Sequence, residues 1–155
     1  MDQDMMAQAL ALARQGAEAG EVPMGAVVVV RGEVIGQGFN KPLGAQDPTA
    51  HAEIVALRQA CRQAGNYRLP GATVYVTLEP CLMCVGAMVH ARISRLVYGA
   101  ADPKVGAVRL AAELADRRAL NHRFAVTGGV LGDEAGALLQ DYFKIRRDKD
   151  GGSDV

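Results

Sequence analysis

Residues 25–30, with the sequence GAVVVV, constrain the fold of this chain more than any other segment. They form an uninterrupted apolar run rich in β-branched side chains, which is typical of a strand that is buried on both faces. The run therefore predicts a strand in the interior of the fold.

The rest of the chain supplies further strands and helices. The segment RGE predicts a turn, after which VIGQGF returns as the hairpin partner of the first strand. Apolar residues at helical spacing then alternate with three further strand patterns, ATVYVTL, SRLVYGA and RFAVTGGV. We therefore expect an α/β fold, a three-layer α/β/α sandwich around a mixed five-stranded sheet.

Length and composition narrow the class of protein. The 155 residues fit one domain, which we place at residues 1–147, followed by a tail at 148–155 that we expect to be disordered. No apolar run reaches the roughly 18 residues that a membrane span needs, and the N-terminus does not resemble a secretory signal. Three cysteines suit a reducing environment, so we expect a cytoplasmic protein. The 17 acidic and 17 basic residues balance, which neither requires nor excludes a nucleic-acid partner.

Cysteines and a histidine in two segments predict a metal site. Cys81 and Cys84 lie three residues apart in a helix expected to begin at the preceding proline, so their side chains point to one side. His51 also lies where a polar loop meets a helix, and two such junctions can face one another at the edge of a sheet. His90 lies too far along the helix of the cysteines, and His122 has no ligand near it in sequence. His51, Cys81 and Cys84 therefore predict one zinc ion per chain.

The neighbouring residues indicate that this zinc is catalytic. A structural site would need a fourth protein ligand, and Cys61 is expected in mid-helix facing the core, so the fourth position is open to water. Glu53 stands two residues after His51, about 200° round an ideal helix, where it should not ligate the metal but can reach over the open position. A carboxylate there can accept a proton from water and deliver it to a leaving group. Histidine–any–glutamate followed by Pro-Cys-x-x-Cys is the signature of zinc nucleobase deaminases.

These motifs and several flanking segments resemble one family closely. TAHAE and TLEPCLMCVGAMVHARI, together with EVPMGAVVV, NYRL, YGAADPK, LNHR and LLQDYFKIRR, are similar to the bacterial tRNA-specific adenosine deaminases. The resemblance implies a cytidine-deaminase-like sandwich, a homodimer, a zinc cofactor and a tRNA anticodon stem-loop as partner. It also implies the reaction, which is conversion of the wobble adenosine to inosine, with Glu53 as the catalytic residue.

The resemblance further implies which residues contact the RNA. They are Asn40 and Asn121 for the flipped nucleotide, Asp102 and Lys104 for its neighbours, and Phe143 and Arg147 for the anticodon strand. The chain departs from the family pattern after YGAADPK, where VGAVRL replaces small residues and a Gly-Ser step. The path of this loop therefore does not follow from the resemblance.

Other interpretations of the same residues remain open at this point. The zinc chemistry could act on a free base or nucleoside such as cytosine, cytidine or guanine, in which case the basic last helix would have no role. A zinc-stabilised scaffold without catalysis is a further alternative, but it leaves Glu53 unexplained. Asn40 and Asn121 could be turn residues, since asparagine satisfies its own backbone well. The basic run FKIRRDK could be a solvated helix face.

Overall fold

The structure is a computed structural model that describes residues 1–149. Its strands and helices follow the order that the sequence predicts, with one additional short helix. The strands are β1 (Gly25–Val30), β2 (Glu33–Phe39), β3 (Thr73–Leu78), β4 (Arg95–Ala100) and β5 (Ala125–Thr127). The helices are α1 (Asp2–Glu18), α2 (Pro42–Ala45), α3 (Ala52–Ala64), α4 (Leu82–Ala91), α5 (Val108–Asp116) and α6 (Gly132–Lys149).

The five strands form one mixed sheet in the order β2-β1-β3-β4-β5. β1 is antiparallel to both of its neighbours, β2 and β3, whereas β3, β4 and β5 run parallel. The parallel pairs are joined through α4 and α5, as crossover connections require. The predicted mixed five-stranded sheet is therefore confirmed.

Helices cover both faces of the sheet, and β1 contributes to both cores. Its residues Ala26 and Val28 pack with α3 and α4 on one face, while Val27 and Val29 pack with α1 on the other. α6 contacts β4 and β3. At Gly36 in β2 an added Cβ would lie 2.8 Å from the Cβ of Ala60, so the glycine allows α3 to pack close to the sheet. The three-layer prediction is confirmed.

The structure differs from the sequence prediction at three places. α4 begins at Leu82 rather than at Pro80, and Cys81 is its N-cap. The predicted polar loop 40–50 contains the single-turn helix α2, which begins at a proline. Asp148 and Lys149, predicted to start the tail, belong to α6, and the remainder of that predicted tail lies outside the described residues. Within residues 1–149, no helix is both long and apolar enough to cross a membrane.

Candidate active site

Two helix N-termini face each other at the edge of the sheet where β3 ends. His51 is the N-cap of α3 and Cys81 is the N-cap of α4, and both have extended backbones, with ψ of 156° and 174°. Neither side chain caps its own helix, so both are free to point into the space between the helices. Cys84 lies in the first turn of α4, where the three-residue spacing brings its sulfur beside that of Cys81.

The three predicted ligands form a cluster with the spacing that a metal ion requires. Nδ1 of His51 lies 3.6 Å from Sγ of Cys81 and 3.5 Å from Sγ of Cys84. The three ligand atoms all lie within 4.8 Å of one another. With Zn–S of about 2.3 Å and Zn–N of about 2.0–2.1 Å, a tetrahedral ion would hold nitrogen and sulfur about 3.6 Å apart. The donor set and its spacing therefore fit zinc.

The electrostatics of Cys84 point the same way. Burial raises the pKa of its thiol far above the usual value, and the neighbouring Glu53 and Cys81 raise it further. Without a cation, this thiol stays protonated and its favourable position near the start of α4 does not make it a thiolate. Coordination to a cation deprotonates a thiol and inverts this balance. The raised pKa indicates that Cys84 is not a reactive free thiolate, which agrees with the metal-ligand role that the spacing of the cluster supports.

Glu53 is buried beside the three ligands but is not one of them. Its side chain is 4 % exposed and lies beside the buried Cys84. Burial raises the pKa of Glu53, against smaller opposing effects from its own backbone N–H, Cys84 and His51. In the described part of the chain, the group of potential ligands around His51 does not include Glu53. This is the arrangement that a general acid–base requires, although the residue's role stays a prediction.

Asn40 follows β2 directly, and the chain beside it is hydrogen-bonded to the segment that leads to His51. The backbone N–H of the following residue, Lys41, donates to the carbonyl of Ala50, directly before His51. The side chain of Asn40 is 5 % exposed, and its Oδ1 has no hydrogen-bond partner within residues 1–149. A buried acceptor without a partner is rare in folded proteins. Asn40 therefore presents an acceptor that a bound molecule could satisfy.

The segment 101–107, which carries Asp102 and Lys104, lies beside the residue that precedes Cys81, because the N–H of Ala107 donates to the carbonyl of Pro80. Oδ1 of Asp102 accepts the backbone N–H groups of Lys104 and Val105, at 3.0 and 3.2 Å, so this carboxylate stabilises its own turn. The side chain of Lys104 is exposed. The structure thus gives a defined path to the loop that departs from the family pattern, and it leaves Lys104 free to contact a ligand.

The structure does not bring Asn121 into the same cluster. Its Oδ1 accepts a hydrogen bond of 2.8 Å from Arg92, the residue that follows the last turn of α4. Cys84 stands at the opposite end of this helix, about 12 Å away at 1.5 Å per residue. Within this chain, the contact of Asn121 with a flipped nucleotide finds no support and stays a prediction.

Phe143 and Arg147 both lie on α6, and both are exposed. Spacing alone predicts that Phe143 shares an apolar stripe with Leu138, Leu139 and Tyr142, but those three side chains are partly buried whereas Phe143 is 50 % exposed. It borders a cavity of about 260 Å³ that is also lined by Asn40. Phe143 is therefore an exposed ring at a cavity that Asn40 also lines, and Arg147 stands one helical turn beyond it.

The sequence did not identify two side chains that lie near the site. Tyr142 lines the cavity beside Asn40 and holds the guanidinium of Arg146 by a hydrogen bond of 3.1 Å to its hydroxyl. Glu79, two residues before Cys81, binds backbone N–H groups of the segment 101–108. Glu79 belongs to the motif TLEPC, but no local sequence pattern shows which distant backbone N–H groups its carboxylate accepts.

Comparisons with known proteins agree with this geometry. The profile of the MafB19-like deaminase family matches residues 1–147. The tRNA-specific adenosine deaminase of Haemophilus influenzae is 47 % identical over 149 residues, which cover 96 % of this chain and 86 % of that protein.

Two solved structures share the fold. One, from studies of A-to-I editing by tRNA:A34 deaminases at the wobble position of transfer RNA, has a TM-score of 0.84 and 46 % identity, covering 88 % of this chain and 99 % of that one. The guanine deaminase of Nitrosomonas europaea is more distant, with a TM-score of 0.78 and 29 % identity over 90 % of this chain and 83 % of that one. The resemblance seen in the sequence is confirmed, and the chain belongs to the tRNA-specific adenosine deaminases of the MafB19-like deaminase family.

Proposed function

We propose that this protein hydrolytically deaminates adenosine to inosine at the wobble position of a tRNA anticodon loop. The observation that carries the chemistry is the buried carboxyl of Glu53 beside a cluster that, within residues 1–149, consists of three potential metal ligands, His51, Cys81 and Cys84. Three protein ligands are typical of a catalytic zinc site, because a fourth position is left for water or substrate. When bound, zinc supplies a Lewis acid that lowers the pKa of a coordinated water.

Glu53 performs the proton transfers in this proposal. Its carboxylate accepts a proton from the water whose oxygen attacks C6 of the adenine ring, and it delivers that proton to the ring nitrogen N1. It then carries the second proton to the exocyclic amino group, which leaves as ammonia while inosine forms. Burial raises the pKa of Glu53, and a raised pKa favours the protonated carboxyl that delivers a proton.

Asn40 would orient the nucleotide. Its buried Oδ1 has no partner within residues 1–149 and can accept a hydrogen bond from a hydroxyl or amino group of the nucleotide. Because the target base must leave the stacked loop to reach the cluster, this buried acceptor would help to hold it in the flipped position.

An RNA substrate is supported by the surface around the site. The exposed ring of Phe143 can stack on a base, and Lys144, Arg146 and Arg147 on the same helix can neutralise phosphates. Asp102 and Lys104 would contact the nucleotides that flank the target. A free base needs none of these groups, which is why we favour tRNA over the free-base alternative. As an enzyme that acts on tRNA, it would work in the cytoplasm.

We also propose that the protein is a homodimer. α4 exposes apolar residues as well as burying them: Leu82 is 50 % and Met83 is 37 % exposed, on the helix that carries the cysteine ligands. A partner subunit related by a two-fold axis could cover this face. Light scattering at micromolar concentration should then give about twice the chain mass of 16.3 kDa. A mass equal to that of one chain would contradict the dimer.

The substrate proposal is tested by one comparison. Purified protein is given a transcribed anticodon stem-loop with adenosine at the wobble position, and inosine is measured by nucleoside chromatography. In parallel, ammonia release is measured from free adenosine, cytidine, cytosine and guanine. Deamination of the stem-loop well above that of every free compound would support tRNA as the substrate. Preference for free guanine or cytidine would instead support the free-base alternative.

A further inference from the structure

Glu79 lies where the metal ligands and the segment 101–107 meet. It follows β3 directly and precedes Pro80 and Cys81. Its backbone N–H donates to the carbonyl of Ala100, the last residue of β4, at 2.8 Å. Because β3 and β4 are parallel, this places Glu79 at the edge of the sheet where both strands end.

One carboxylate joins the two ends of the segment 101–107. Oε1 of Glu79 accepts the backbone N–H of Asp102 at 3.0 Å, and Oε2 accepts that of Val108 at 3.3 Å. Val108 is the first residue of α5, whose N-cap is Ala107, a residue without a side chain that could cap a helix. Glu79 therefore supplies the N-terminal cap of α5 from another element, with a negative charge at the favourable end of the helix dipole.

The segment is packed against this carboxylate without spare room. A Cβ added at Gly106 would collide with the carboxylate carbon of Glu79, and it would lie 2.5 Å from both Oε1 of Glu79 and the carbonyl oxygen of Asp102. The neighbouring N–H of Ala107 donates to the carbonyl of Pro80 at 2.9 Å. The position of the segment thus depends on residues that immediately precede the ligand Cys81.

We propose that Glu79 is a positioning residue that sets the segment 101–107, with Asp102 and Lys104, in place to contact RNA beside the metal site. This inference rests on the proposed function, because it concerns the RNA-contacting role of that segment. Glu79 does not touch the reacting atoms. It acts by fixing the backbone from which Lys104 extends. Loss of Glu79 should therefore lower the affinity for RNA more than it lowers the rate of the chemical step.

The test uses Glu79→Gln, which keeps the shape of the side chain. An amide nitrogen cannot accept an N–H, so one of the two hydrogen bonds and the negative charge are lost. We expect KM for the stem-loop to rise about tenfold, as for the loss of one hydrogen bond to a charged group, with kcat within about threefold and zinc content unchanged. Amide hydrogen exchange should become faster at Asp102 and Val108. Glu113→Gln, at an exposed glutamate on α5, is the matched control.

A second pair of variants protects the test against a folding defect. Gly106→Ala should displace the segment from Glu79 and raise KM in the same way. Gly136→Ala is its control, because an added Cβ there meets no atom within 4 Å. In a Lys104→Ala background, Glu79→Gln should raise KM by a smaller factor, because the side chain that Glu79 positions has already been removed.

The outcomes separate this inference from the proposed function. If the wild type neither binds nor deaminates the stem-loop, the proposed function fails and this inference fails with it. If the wild type is active and Glu79→Gln keeps its KM, or loses only kcat, the positioning role alone is overturned. An equal penalty of Glu79→Gln with and without Lys104 would overturn it as well.

Discussion

Replacing Asn40 by leucine should separate stability from activity. Leucine has nearly the same branched shape as asparagine but no polar atoms, and the side chain is 5 % exposed in the folded protein. Burial of Oδ1 without a hydrogen-bond partner within residues 1–149 destabilises the folded protein. A buried polar atom left unsatisfied costs about 1–3 kcal/mol. Asn40→Leu should therefore leave the free energy of unfolding unchanged or raise it by up to this amount.

Activity should change in the opposite direction. If Oδ1 accepts a hydrogen bond from the bound nucleotide, its removal should lower kcat/KM on the stem-loop by about tenfold, the value of one net hydrogen bond. Stability is measured by urea unfolding and activity by inosine formation on the same preparation. Asn66→Leu is the control, because Oδ1 of Asn66 accepts the N–H of Arg68 at 3.0 Å in an exposed turn far from the metal cluster. This control should lose a little stability and keep its activity.

The opposite result would refute the reasoning about Asn40. If Asn40→Leu unfolds more easily by over about 1 kcal/mol and still deaminates the stem-loop at the wild-type rate, Asn40 is a structural turn residue. Its unpartnered oxygen would then have no role in substrate binding.

Two further predictions concern RNA binding and pH. Reversing Arg146 and Arg147 to glutamate should weaken binding of the stem-loop and flatten its salt dependence, with zinc content unchanged, as measured by fluorescence anisotropy at several salt concentrations; normal deamination by this variant would show that α6 does not bind the RNA. Tyr75 is buried and donates to Asp2, and burial raises the pKa of Tyr75 to about 12. The unfolded chain has a tyrosine pKa of about 10. The contribution of neutral Tyr75 to the free energy of unfolding is therefore fully present below about pH 10 and falls by about 2–3 kcal/mol as pH rises to 12. Tyr75→Phe should lack that alkaline loss in urea unfolding at pH 9 to 12, and equal losses in both proteins would contradict it.

The parts of the fold that the sequence predicted are those that local patterns control. The apolar run of β1 predicts burial on both faces, and the alternation of helices and strands after the hairpin predicts the three layers. The spacing of Cys81 and Cys84 fixes their common direction within one helical turn. His51 could be predicted as the third ligand because the chain has only three histidines and because its segment, like that of the two cysteines, begins a helix at the edge of the sheet.

The remaining features depend on contacts between distant segments. Glu79 binds amides 23 and 29 residues away, and Asn121 binds Arg92, so no local pattern could reveal either partner. The burial of Glu53 depends on how α3 packs against the sheet and against α4, and not on its own neighbours in sequence. Phe143 fits the apolar stripe of α6 by spacing, yet only the position of α6 on the sheet decides that its ring is exposed.

The central claim is that Glu53 transfers protons at a metal held by His51, Cys81 and Cys84, and one paired measurement tests it most directly. Zinc content by elemental analysis and inosine yield on the stem-loop are determined for the wild type, Glu53→Gln and Cys84→Ser. We predict that Glu53→Gln keeps one zinc per chain and loses about 10²–10⁴-fold in turnover, whereas Cys84→Ser loses most of its metal. Loss of zinc from Glu53→Gln in proportion to its activity, or full zinc occupancy in Cys84→Ser, would contradict the account.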